Sequence, residues 1–112
     1  MTFPKPRRFE DLELLEEVRN LVCMGCASID PEGAREAMYE NKVRSHPHHL
    51  VSRAHGGPDE PWNVIPVCFK HHALFHSHGI CFMALNYKVI KDWLILAGWQ
   101  HNSDFTEWSY TK

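Results

Sequence analysis

At 112 residues, 44% of them hydrophobic, the chain is long enough for one domain with a modest core. Its formal charge of −2 is not the strongly basic balance expected of a DNA binder, and no apolar run approaches the length needed to cross a bilayer. Residues 1–8 are polar and proline-rich rather than leader-like, so the expectation is a cytoplasmic protein, where four cysteines point to metal before disulfides.

Residues 1–8 read as an extended arm, either a solvated tail or a set of phosphate contacts through Lys5, Arg7 and Arg8. Residues 10–22 place Leu12, Leu15, Val18 and Val22 at helical spacing with acids between them, which predicts an amphipathic helix with a solvated acidic face. That helix delivers the chain to Cys23-Met24-Gly25-Cys26. Asp30 then stands as an N-cap before Pro31, and a short helix to about Glu40 follows. Charge is unevenly divided: residues 1–41 hold five Lys/Arg against nine Asp/Glu, and residues 42–112 hold seven against five. The second part is therefore mildly basic.

Eight of the nine histidines fall between positions 46 and 78. Packing does not account for that density, because imidazoles form cores poorly, whereas they bind metals and serve as bases near neutral pH. Two apolar runs, Leu50-Val51 and residues 64–67, flank a Gly/Pro/Asp-rich loop over 53–61, which predicts a β-hairpin with a long tip. A helix carrying His71, His72 and His76 follows, with Gly79 as its stop. His72 and His76 are four apart and share one helix face. A hairpin packed on that face would bring His48, His72 and His76 to one point.

Cys23-x-x-Cys26 and Cys68-x-x-His71 have the same inner spacing, which predicts a Cys3His structural zinc site. A redox pair and four plain buried cysteines are the alternatives. His71 and His72 point about 100° apart on a helix, so each can serve a different metal. Cys81 has no partner at knuckle spacing and reads as a small buried hydrophobe. Asn86 is the expected cap of a last helix with the stripe Val89, Ile90, Trp93, Leu94 and Ala97, ending at Gly98. Trp93 and Trp99 are read as core. The tail carries Phe105, Trp108 and Tyr110 and is expected to pack back on the body.

The segments H-H-L-V-S-R-x-x-G-G, N-V-I-P-V-C and H-H-A-L-F-H, in that order, resemble the HNH endonucleases of the ββα-metal fold. His49, Asn63 and His72 stand as the naming triad. The resemblance covers the middle third of the chain and Cys23 and Cys26 upstream. It implies that His49 is the general base, its ring oriented by a backbone carbonyl. It implies that Asn63 ties the hairpin loop to backbone groups. His48, His72 and His76 would hold a catalytic divalent metal, with His76 alternatively on the scissile phosphate. In much of the family the His48 position is Asp. An all-imidazole set is softer and leans to Zn, Ni, Co or Mn rather than Mg alone. Arg53 and Lys70 are read as phosphate contacts or as plain surface charges. His46, His55 and His78 receive no role beyond surface imidazoles.

The resulting expectation is one α+β domain over 1–112, with a small ββα-metal core and zinc knuckle over 23–78 and a C-terminal helix and tail over 86–112. Its implied activity is metal-dependent cleavage of duplex DNA, nicking or cutting, with low sequence specificity. The alternatives are a catalytically inactive zinc-stapled nucleic-acid-binding module and a structural zinc module of a phage or restriction complex.

Overall fold

The computed structural model describes residues 11–40 and 42–111, and the arm expected at residues 1–8 lies outside them. Asp11 opens α1 (Leu12–Arg19), its carboxylate accepting the Leu14 N–H at 3.0 Å. The helix stops earlier than residues 10–22 predict, because the Asn20 N–H turns back to the Glu17 and Val18 carbonyls. Leu15 and Val18 are buried, whereas Leu12, in the first turn, is exposed. A short helix absent from the apolar pattern, α2 (Met24–Ile29), follows directly with Cys23 as its N-cap. α3 (Pro31–Tyr39) begins where Asp30 and Pro31 predict, with the Asp30 carboxylate accepting the Gly33 N–H at 3.1 Å.

The hairpin forms, one step earlier along the chain than its apolar residues suggest. β1 is His46–His49, and Leu50 and Val51 lie beyond it in the loop. β2 is Val64–Val67, every residue of it buried. The strands pair antiparallel, His46 opposite Val67 and His49 opposite Val64. This register sets Pro47 against Pro66. Facing residues in such a ladder alternate between exchanging both hydrogen bonds and exchanging none, so two prolines fit only at a non-bonded pair. The histidines form a strand here because β2 supplies the ladder and the apolar cover.

α4 (Phe69–Asn86) is helical on both sides of Gly79, whose φ is 82°. The predicted stop is thus a kink, after which Met83 and Ala84 enter the core. α5 (Lys88–Leu96) is capped at Tyr87 rather than Asn86, because the Asn86 amide donates back to the Phe82 carbonyl at 2.8 Å. Ile65, Val67, Phe75, Met83, Ile90, Leu94 and Trp99 form the main core. Leu15, Val18 and Val64 join α1 to the hairpin in a smaller one.

The tail does pack back. β3 (Gln100–His101) pairs antiparallel with β4 (Trp108–Ser109). Tyr110 then stacks on Trp62 with ring centroids 3.9 Å apart, and the Trp99 indole N–H donates to the Trp62 carbonyl at 2.8 Å. The result, over the described residues, is a small, compact α+β fold with two small antiparallel sheets. Among the described residues no helix is long and apolar enough to cross a membrane.

Candidate metal centres

The first cluster is the knuckle. Cys23 caps α2, Cys26 lies in its first turn, Cys68 caps α4 and His71 lies in the first turn of α4. Their ligand atoms all lie within 4.8 Å of one another, close enough to bind one metal ion. His71 Nδ1 is 3.4 Å from Cys23 Sγ, 3.5 Å from Cys26 Sγ and 3.1 Å from Cys68 Sγ, and the Cys26 and Cys68 sulfurs are 3.7 Å apart. A tetrahedral zinc with ordinary bond lengths has S–N edges of about 3.6 Å and S–S edges of about 3.8 Å, so the set is consistent with a structural zinc. Burial, followed by the neighbouring Cys23 sulfur, pushes the Cys26 thiol up to about 12, and burial also raises Cys23. Cys23 and Cys26 become thiolates together only if a cation replaces their protons.

Gly25 makes the knuckle sterically possible. A Cβ there would lie 2.4 Å from His71 Cγ, so any other residue would push α2 and α4 apart. His71 is buried, and its ring meets the Tyr87 ring edge to face at 4.9 Å. Its Nε2 has no hydrogen-bond partner. A lone buried imidazole in that state is unfavourable; one bound through Nδ1 has half its polar capacity satisfied by the metal.

The second cluster lies on the same helix. His48, His72 and His76 also place ligand atoms within 4.8 Å of one another. Their ring centroids are separated by 5.0 Å (His48 to His72), 5.3 Å (His48 to His76) and 4.8 Å (His72 to His76). His48 is buried against Phe75, His72 is half-buried and His76 is exposed, so the cluster opens to solvent on one side. His46, two residues before His48 on β1, joins its edge, with Nδ1 3.3 Å from His72 Nδ1. The sequence offered no reason to choose His46 over the other surface histidines; only the strand register draws it in.

His49 projects from the other side of β1, since neighbouring strand residues alternate faces. Its ring is held by a carboxylate rather than by the backbone carbonyl that the resemblance implies. His49 Nε2 lies 2.6 Å from Asp59 Oδ1. Arg53 Nη2 donates to both Asp59 oxygens at 3.1 and 3.0 Å. Burial raises the Asp59 carboxyl, but the His49 bond, the Asp11 N–H and Arg53 outweigh it and leave the group below its ordinary value. Asp59 was hidden in the sequence among the Gly/Pro/Asp residues of a turn, where Asp needs no special explanation. Arg53, read from the sequence as a phosphate contact or a plain surface charge, has this protein partner, while Lys70 is exposed at the start of α4.

Asn63 is fully buried beneath the loop. Its Oδ1 accepts the Val51 N–H at 2.7 Å, and its Nδ2 donates to the Val51 and Pro58 carbonyls at 3.0 Å each. Gly57 allows this crossing, because a Cβ there would lie 1.7 Å from the Val51 carbonyl oxygen. His55 bonds the Ser52 hydroxyl at 2.6 Å on the surface, and His78 is exposed on α4. No family model, curated protein or solved structure matches the chain.

The buried histidines set a pH dependence. Burial, then His72 and His76, holds His48 down at about 3, and burial chiefly lowers His71 and His72 as well. A histidine depressed in the folded state is protonated more readily when unfolded. Its contribution is therefore complete above the ordinary value of ~6.5 and is lost as pH falls toward the folded value. Metal ligation also needs unprotonated rings, so it acts with the same sign. Thermal unfolding followed from pH 7.5 to pH 4.5 is expected to show a steady fall in Tm that starts near pH 6.5. A flat Tm across that range contradicts this account.

Proposed function

We propose that this protein is a metal-dependent endonuclease of the HNH type, built on a ββα-metal core and stapled by a structural zinc at Cys23, Cys26, Cys68 and His71. The observation that carries the reading is one strand end presenting two neighbouring histidines to different tasks. His48 joins His72 and His76 in an open three-imidazole cluster, while His49 is held by a buried carboxylate. A metal-storage tract has no need of the second arrangement. Asn63 supports the reading by fastening the loop that carries Asp59.

The proposed substrate is duplex DNA. His49 accepts a proton from water as the water oxygen attacks phosphorus; the P–O3′ bond breaks with its electron pair going to O3′, which takes a proton from solvent, to leave 5′-phosphate and 3′-hydroxyl ends. A divalent cation on His48, His72 and His76 would supply Lewis acidity at the phosphate oxygens. Three neutral imidazoles suit Zn, Ni, Co or Mn better than Mg. Lys70, exposed at the start of α4, and the half-exposed outer side of Arg53 are the proposed phosphate contacts. With so few, binding is expected to be weak, salt-sensitive and nearly independent of sequence.

A supercoiled-plasmid assay tests this. Protein freed of exchangeable metal is incubated with Mg, Mn, Co, Ni or Zn, and with chelator as control. Relaxed or linear product is expected with at least one metal and none in chelator. Intact plasmid under every metal, from a folded and zinc-loaded protein, would exclude the enzyme and favour the alternative of a zinc-stapled module that binds nucleic acid without cutting it.

A further inference from the structure

We propose that Asp59 is a positioning residue that fixes the proton of His49 on Nε2 and so makes Nδ1 the atom that accepts the proton of the attacking water. The inference rests on the endonuclease reading of His49 and adds to it a residue and a tautomer. Asp59 is 3% exposed, and its carboxylate accepts from three directions. Arg53 bridges both oxygens, the Asp11 N–H reaches Oδ2 at 3.0 Å, and His49 Nε2 lies 2.6 Å from Oδ1. A purely structural anchor would be complete with Arg53 and the Asp11 N–H. The third contact, the shortest of the set at 2.6 Å, is made to the imidazole proposed as the base.

The direction of that contact follows from donor counting. An ionised carboxylate only accepts, so His49 Nε2 must donate, and a neutral imidazole then carries its lone pair on Nδ1. Arg53 Nε also lies 3.4 Å from His49 Nε2. That distance is at the outer limit of a hydrogen bond, and a nitrogen already donating at 2.6 Å has no lone pair for it. Asp59 can also compensate the positive charge that His49 takes up during the reaction. The tie to Asp11 anchors the pair to the start of α1, so the ring is held by two separate elements.

Asp59→Asn separates this role from simple anchoring. Arg53 can only donate, so it keeps the carboxamide oxygen and turns the amide NH2 towards His49 Nε2. Nε2 must then accept, and the ring proton moves to Nδ1, which closes the proton-accepting site. Side-chain 15N NMR of the full-length zinc-loaded protein is expected to find the His49 proton on Nε2 in the parent and on Nδ1 in Asp59→Asn. Plasmid nicking should fall by about 100- to 10,000-fold, with the metal content of both clusters unchanged. A parent ring protonated on Nδ1 overturns the proposal, as does a folded Asp59→Asn protein that nicks at the parent rate. Should Asp59→Asn not fold, the parent tautomer alone decides. A parent that nicks no plasmid sinks the endonuclease reading, while the NMR result still confirms or refutes the Asp59 contact.

Discussion

Stripping the cation from Cys23, Cys26, Cys68 and His71 is expected to unfold the whole domain. Magnitudes decide this. A structural zinc contributes about 10–16 kcal/mol near neutral pH, while a domain of ordinary stability keeps about 5–15 kcal/mol in total. The knuckle also joins α2 to the start of α4, and α4 carries Phe75, Met83 and Ala84 into the core. Protein purified without added metal should hold one equivalent of zinc. A strong chelator should abolish its helical circular dichroism, and zinc should restore it. Cys26→Ser should act in the same direction, and so should Gly25→Ala, whose Cβ would lie 2.4 Å from His71 Cγ. A zinc-free protein that keeps its helices in chelator would show that the four side chains are packing groups only.

The second large effect separates the proposed base from the proposed ligands. His49→Ala is expected to keep the fold and both metals yet lose about 100- to 10,000-fold in nicking rate, the usual contribution of a positioned general base. His72→Ala removes a ligand instead. There the exchangeable metal should bind weakly while the zinc stays, and raised metal concentration should restore part of the rate. Extra metal should not rescue His49→Ala. A His49→Ala protein as active as its parent, or a His72→Ala protein with undiminished metal affinity, would falsify these assignments.

Much of this arrangement was legible in the chain, for identifiable reasons. Ligand spacing survives folding unchanged, so the two pairs Cys23-x-x-Cys26 and Cys68-x-x-His71 pointed to one cluster before any geometry was known. Asp30 before Pro31 is a local signal that needs no tertiary help, and it marked the start of α3. Other features were out of reach. β1 is a strand of three histidines and a proline, which no propensity favours; the ladder with β2 imposes it. α2 is hidden because its six residues carry no apolar stripe of their own, and Gly25, a poor helix former, is there for the His71 ring. Gly79 carries the expected stop signal, but Met83 and Ala84 have a core to enter and the helix resumes. Asp59 depends on the path of a loop, which sequence does not encode at that range.

One consequence concerns tolerance to change in chain length. His71 and His72 are consecutive on α4 yet belong to different clusters, and each cluster also draws on a distant segment of the chain. Point substitutions can therefore separate the two centres. Insertions and deletions cannot. One residue added or removed between 68 and 71 turns everything after it by about 100° and carries His71, His72 and His76 away from their partners together. Over this stretch the number of residues is held more tightly than the identity of those that ligate nothing. A library of single-residue indels should find no survivors there, while substitutions at exposed Phe69 or Ala73 are absorbed.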